Sequence, residues 1–354
     1  MIPATLLKVF LPSVLSFLIG MLITPAFTKY FYKYRLWKRA SRLDNDVAMS
    51  EAFKEVHAKQ VTAETGTPRV GGIIIWMSTL IVILGMFILS KFIQDPVLRR
   101  LDFLSRGQTL LPLAALFFGG LFGLFEDFLE IFVDKFKMFR QGISSKYLVS
   151  VVAIIGLLAG LWFYLKLGMD FVHVPFVGDV HLGWLFIPLF IIVVLGTFSS
   201  RVIDGIDGLA GGVMAVSFAS FGIIAFIKDY IDIAALCFVI TGGILAFLWY
   251  NIPPARFYMG ETGMLGLTLS LAIIAFMTNS VLVLPIVGLL LVVTSLSSSI
   301  QIVSKRYFQK KIFKIAPLHH HLQALGWSRE KITMRYWIIS LMVATIGIIV
   351  AIVG

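Results

Sequence analysis

Charge is scarce in this chain of 354 residues: 14% is Asp, Glu, Lys or Arg and 59% is hydrophobic, where soluble domains carry about 25% charged residues. That shortage excludes an ordinary soluble domain. Cysteine is nearly missing too. The one thiol, Cys237, lies inside an apolar run, which excludes a disulfide framework and a thiolate metal site. There is no internal repeat of about 20–50 residues. No nucleic-acid motif is present, so no nucleic-acid partner is expected and the net charge of +11 needs another source.

What is abundant is apolar sequence in runs of about 20 residues, long enough to cross a bilayer. Such runs fall near 9–28, 70–93, 108–126, 147–166, 183–198, 206–227, 233–250, 261–278, 280–303 and 332–353. They predict an all-α polytopic membrane protein with about ten transmembrane helices, forming one integral domain over 1–354. If loops are assigned alternately to the two sides, 23 of the 30 Lys and Arg residues fall on one side. Positive loops are cytoplasmic, so both termini are expected outside. The stretch with Met49, Phe53 and Val56 at helical spacing predicts a short surface helix, and alternation around Gly178-Asp179 predicts an outward β-hairpin with His173 and His181 at its surface.

The polar exceptions gather on the cytoplasmic side. Glu126-Asp127 closes the third run, where intramembrane carboxylates cost a few kcal/mol each; Lys135 and Lys137 are candidate partners. Asp204-Gly205-Ile206-Asp207-Gly208 opens the sixth. In a helical first turn the two aspartates would share a face, either as caps or as ligands, and the glycines would admit a ligand to the backbone. Asn251 and Glu261 flank a proline-broken boundary, and His319-His320-His321 follows a basic cluster. Gly66 to Gly72, with Thr67, reads as a turn whose amides could cradle a phosphate, and Ser144 as a helix cap before Lys146. Hydroxyl residues from Thr294 to Ser299 read as ordinary helix packing. Carboxylates without thiols suit Mg²⁺, and a carboxylate cluster on a basic membrane surface suits metal-assisted phosphoryl transfer to a lipid.

The succession of Thr67-Pro68 with Gly71-Gly72, Glu126-Asp127, Asp204 to Ala210, Asn251, Met259-Gly260-Glu261 with Gly263, and Ala316-Pro317-Leu318-His319-His320-His321 resembles the polyprenyl-phosphate N-acetylhexosamine-1-phosphate transferases. The triple histidine and Gly326-Trp327 are most similar to the phospho-N-acetylmuramoyl-pentapeptide transferase branch. The resemblance implies ten spans in a bacterial inner membrane, a cytoplasmic Mg²⁺ site, and transfer of phospho-MurNAc-pentapeptide from its UDP conjugate to undecaprenyl phosphate. UMP and lipid I would be the products. It implies Asp127 as base or nucleophile beside Glu126, Glu261 with Asp204 at the metal, and Asp204, Asp207, Asn251, Lys146, Thr67 and Arg201 toward nucleotide and diphosphate. The histidines would line the site, and a homodimer is admitted.

This chain departs from that pattern at several positions. The family has Asp-Asp at 126–127, aspartate at 261, asparagine at Phe198 and Arg201, serine at Met264 and glutamate at Thr294. Two alternatives therefore stand beside the main expectation. One is a sister transferase passing N-acetylglucosamine-1-phosphate to the same lipid; the other is a catalytically impaired relative that binds lipid or acts as a scaffold. A transporter is disfavoured, because the ionisable residues cluster at one interface.

Overall fold

The computed structural model describes residues 2–37, 66–93, 101–104, 107–132 and 144–354. The predicted surface helix around Met49 to Val56, and Lys135 and Lys137, lie outside the described residues.

The helices in chain order are α1 (Ile2–Lys33), α2 (Ile73–Phe92), α3 (Leu110–Ile131), α4 (Ser145–Lys166), α5 (Phe186–Ser199), α6 (Leu209–Ile227), α7 (Ile231–Asn251), α8 (Glu261–Met277), α9 (Leu284–Val287), α10 (Leu289–Val303), α11 (Leu318–Ala324) and α12 (Arg329–Val353). Among the described residues, eight helices are long and apolar enough to cross a membrane, and a bent pair makes a ninth. Helix is the form expected, because a bilayer offers backbone amides no water to bond. This is a multi-pass membrane protein.

Helix α8 is the tenth apolar element and the centre of the bundle. Its 17 residues rise only about 25 Å, short of the roughly 30 Å hydrocarbon layer. It is almost wholly buried, so its ends meet protein and not lipid. One face carries Leu267, Leu271 and Ile274 into a core shared with α1, α2, α6 and α7. The other carries Leu265, Leu269 and Phe276 into a core with α4 and α5, where Phe276 stacks on Phe190 with ring centroids 4.2 Å apart. Its closest neighbour is α3. A Cβ on Gly123 of α3 would stand 2.0 Å from the Glu261 carbonyl oxygen, so only glycine allows this approach, the small-residue logic of membrane helix contacts.

The predicted hairpin is present, with β1 (Phe171–Val174) antiparallel to β2 (Gly178–His181) and Val172 opposite Val180. His173 bonds Asp179 at 2.7 Å, while His181 stands largely exposed against Asp170. Lys228, after α6, reaches the carbonyl of Thr278 and the hydroxyl of Ser280, after α8, at 3.3 and 3.0 Å. Both helices start at the acidic end, so these contacts mark the opposite end of the bundle.

Two expectations are corrected here. The run 280–303 is not one straight span: a 3-10 turn (Val281–Val283) and α9 meet α10 across a bend of 81°. Gly288, at φ −94° and ψ 28°, leaves helical geometry at the break, and Pro285 starts the short α9. Ser144 occupies the N-cap of α4, but its side chain makes no capping bond; the backbone carbonyl takes the Tyr147 amide instead, at 2.9 Å.

Candidate active site

The site forms where the 3-10 turn after α5 (Ser200–Ile203), the loop 204–208, the loop 252–260 and the end of α3 meet. Asp127, in the last turns of α3, is 1% exposed. Its Oδ2 accepts the Thr262 amide at 2.8 Å and the Thr262 hydroxyl at 2.6 Å, and its Oδ1 accepts the Glu261 amide at 3.3 Å. The carboxylate therefore caps the amide-rich start of α8, which otherwise has no side-chain cap of its own. Glu126, its neighbour, keeps Oε2 buried with no hydrogen-bond partner among the described residues.

Asp204 and Asp207 do not sit in a helical turn, nor do they cap α6, contrary to the first-turn expectation. Helix α6 begins only at Leu209, with left-handed Gly208 (φ 73°) at its N-cap. Both aspartates still face one loop. Asp204 Oδ2 accepts the Gly260 amide at 3.0 Å, and Asp207 Oδ2 accepts the Ala255 amide at 3.1 Å. Asn251 locks the same junction: its Oδ1 accepts the Gly208 amide at 3.0 Å and its Nδ2 donates to the Phe257 carbonyl at 2.8 Å. Burial pushes the Asp204 carboxyl up to about 6, with Glu261 and Asp207 adding to the rise and Arg69 and the Gly260 amide opposing it.

Gly205 is required for packing. A Cβ on Gly205 would lie 2.6 Å from His319 Nε2 and 3.1 Å from His320 Nε2, so two histidine rings rest against the loop between the aspartates. They contact each other edge to face, with centroids 4.3 Å apart. His320 Nδ1 pairs with Gln323 at 2.7 Å, and burial lowers its pKa from the usual 6.5, leaving the ring neutral at pH 7. His321 turns away, its Nδ1 accepting the Lys314 amide at 3.2 Å.

Likewise the amides of Gly71 and Gly72 do not form a phosphate cradle. They donate to the carbonyls of Tyr258 and Met259 at 2.9 and 3.0 Å, stitching the start of α2 to the site loop. Thr67 is half-buried at the head of this segment. Lys146 is exposed in the first turn of α4 and, among the described residues, makes no ion pair with the site.

Arg201 donates to Glu261 Oε1 and its Cζ stands 4.7 Å from the Phe198 ring centroid; Glu261 Oε2 is buried with no hydrogen-bond partner among the described residues. Two residues outside the sequence-based set belong here. The charge of Arg69 acts on Asp127, Asp204 and Glu261, and Thr262 supplies two donors to Asp127. Arg69 was visible as the one cation inside the Thr-Pro-x-x-Gly-Gly segment; Thr262 gave no signal. Ser297, read as packing, accepts the Leu318 amide at 2.8 Å and so holds α11 with its histidines. Among the described residues, no three His, Cys, Asp or Glu side chains converge as a ready metal cage. The two orphan oxygens of Glu126 and Glu261 nevertheless fit a hard cation that takes one or two carboxylates and completes its shell with water and substrate phosphate.

Residues 109–279 match the family described as Glycosyl transferase family 4. The chain is 32% identical over 304 residues to the phospho-N-acetylmuramoyl-pentapeptide-transferase of Chloroflexus aggregans, which takes in 82% of this chain and 78% of the relative. It is 30% identical over 342 residues to the protein of that name from Halalkalibacterium halodurans, 95% of either chain. Against the one from Listeria monocytogenes it is 32% identical over 309 residues, 85% of this chain and 89% of the relative. Identity of 30–32% over most of the chain places it in the phospho-N-acetylmuramoyl-pentapeptide transferase family.

Proposed function

We propose that this chain transfers phospho-MurNAc-pentapeptide from UDP-MurNAc-pentapeptide to undecaprenyl phosphate, giving lipid I and UMP in bacterial cell-wall synthesis. The observation that carries the reading is the meeting of Asp127, Asp204, Asp207, Glu261, His319 and His320 at one end of a membrane bundle, where a lipid and a water-soluble donor have common access. An oxygen of the lipid phosphate forms a bond to the phosphorus that bears the sugar. The bond from that phosphorus to the bridging oxygen breaks, and UMP departs with that oxygen.

Asp127 is the base. Its Oδ2 is committed to Thr262, but Oδ1 has, among the described residues, only the 3.3 Å amide contact and takes the proton of the lipid phosphate. Glu261 and Glu126 would hold Mg²⁺, with Asp204 beside them spending only Oδ2 on a backbone amide. Bound there, the ion offsets the charge of the diphosphate. Arg201 and Arg69 add positive charge for the phosphates, and His319 and His320 line the wall beside Gly205. Asn251 and Asp207 hold the two loops together, and through them the carboxylates' positions. Thr67 and Lys146 meet the donor where it enters from the cytoplasm, the side the charge bias assigns to this end.

The acceptor's chain has a place. A cleft of about 200 Å³ between α5 and the bent α9–α10 pair is lined by Val193, Gly196, Leu284, Leu291 and Val292 and reaches Ser200, next to Arg201. It receives the first prenyl units while the rest of the chain stays in lipid.

The test is an assay on purified protein with undecaprenyl phosphate and UDP-MurNAc-pentapeptide, following UMP and the lipid product. Product that disappears with a chelator is the expected result. Folded protein that turns over only UDP-N-acetylglucosamine would move the assignment to the sister reaction, and folded protein inert to both donors would identify an impaired relative.

A further inference from the structure

Arg201 occupies an unusual position for a cation. Its guanidinium is bound to one oxygen of Glu261, it lies against the face of Phe198, and its charge also acts on Glu126. The other oxygen of Glu261 and one oxygen of Glu126 are buried and, among the described residues, have no hydrogen-bond partner. A monovalent group thus partly serves the two carboxylates that the proposed function gives to a divalent ion. The Phe198 contact limits where the planar group can go, because an arginine on an aromatic face gains a cation–π attraction that it loses on leaving.

We propose that Arg201 is a resident counter-cation that competes with the divalent metal for the Glu126–Glu261 pair, so that this chain binds metal more weakly than it would with a neutral residue at 201. The inference rests on the metal reading above, but its test needs no turnover. Mn²⁺, a carboxylate-preferring ion whose free form is counted by electron paramagnetic resonance, is titrated into the purified full-length protein in detergent without substrates. Arg201→Asn is expected to tighten Mn²⁺ binding about tenfold or more. Arg201→Lys keeps the charge and is expected to stay within about threefold of wild type. Phe198→Ala leaves every charge in place but frees the guanidinium, and a tightening of about threefold is expected; it answers the question even if the Asn variant does not purify folded.

Equal Mn²⁺ affinity in wild type, Arg201→Asn and Phe198→Ala would overturn the competition while leaving the metal site standing. No Mn²⁺ bound by any of them, with transfer that survives a chelator, would overturn the metal reading itself and the competition with it.

Discussion

The hydroxyl and the amide of Thr262 both donate to Oδ2 of Asp127, at 2.6 and 2.8 Å, so the carboxylate proposed as base is also the cap of α8. These two duties separate by substitution. Asp127→Asn removes the charge and leaves one acceptor facing several donors, costing about 1–3 kcal/mol as well as the chemistry. Thr262→Val removes one donor and costs about 1 kcal/mol, with Oδ1 untouched. UMP release is expected below detection for Asp127→Asn and within about tenfold of wild type for Thr262→Val, with melting temperature in detergent lowered in both. A Thr262→Val protein as inactive as Asp127→Asn would show that the cap, and not proton transfer at Oδ1, is what the reaction requires.

Gly205 sets the position of two of the three histidines. A methyl there would stand 2.6 Å from His319 Nε2 and 3.1 Å from His320 Nε2, so the His319 ring must move by roughly 1 Å and His320 must give slightly, and a displacement of about 1 Å can cost about 10²-fold in rate. Gly205→Ala is expected to lower kcat by that order while folding normally. His321→Ala is expected to stay close to wild type, because His321 is turned to the Lys314 amide. Initial rates for Gly205→Ala, His319→Ala, His320→Ala and His321→Ala give the ranking. His321→Ala as damaging as His319→Ala would contradict this geometry.

Asp204 gives a pH dependence of stability with a definite sign. Its carboxyl is raised to about 6 in the folded protein against about 3.9 in an unfolded chain. Between those values the folded state binds the extra proton, so stability falls as pH rises through that window. Asp204→Asn mimics the protonated form. The melting temperatures of wild type and variant, without ligands, are expected to match near pH 4, with wild type the lower of the two above pH 6. Transfer by Asp204→Asn is expected to be lost even though the protein is the more stable one. A wild type more stable than the variant at pH 7.5 would refute the assignment.

Much of this molecule is legible in its sequence, for identifiable reasons. The spans follow from hydropathy because helices are what the bilayer permits, and the hairpin follows from alternation around Gly178. Asp204, Asp207 and Glu261 stand out because charge beside apolar runs is costly. The tertiary uses of small residues were hidden. Gly71, Gly72 and Gly205 look like ligand cradles in one dimension, and only the folded chain shows carbonyls and histidine rings already against them. The bend at Gly288 was hidden for a related reason: a glycine in an apolar run is compatible with a continuous helix, and its geometry depends on neighbours far along the chain. Ser297 reads as packing in the sequence, because only the fold brings the Leu318 amide to its hydroxyl.

Glu126 offers the test that joins stability to metal. With Oε2 buried and, among the described residues, without a hydrogen-bond partner, the side chain destabilises the metal-free protein whenever it is ionised, since an unsatisfied buried acceptor costs about 1–3 kcal/mol and more when charged. A divalent ion supplies the missing partner and stabilises only the folded state, by about 2.7 kcal/mol at a hundred times its dissociation constant. Wild type is therefore expected to melt higher as Mg²⁺ is added and to fall back with chelator. Glu126→Gln, which replaces a buried charge by a neutral amide, is expected to melt at or above wild type without Mg²⁺ and to gain little from it, and its transfer rate should need more Mg²⁺ to saturate. Thermal scans with and without Mg²⁺ on both proteins decide this. An Mg²⁺-induced shift as large in Glu126→Gln as in wild type would remove Glu126 from the metal's carboxylates and leave its orphan oxygen to the substrate.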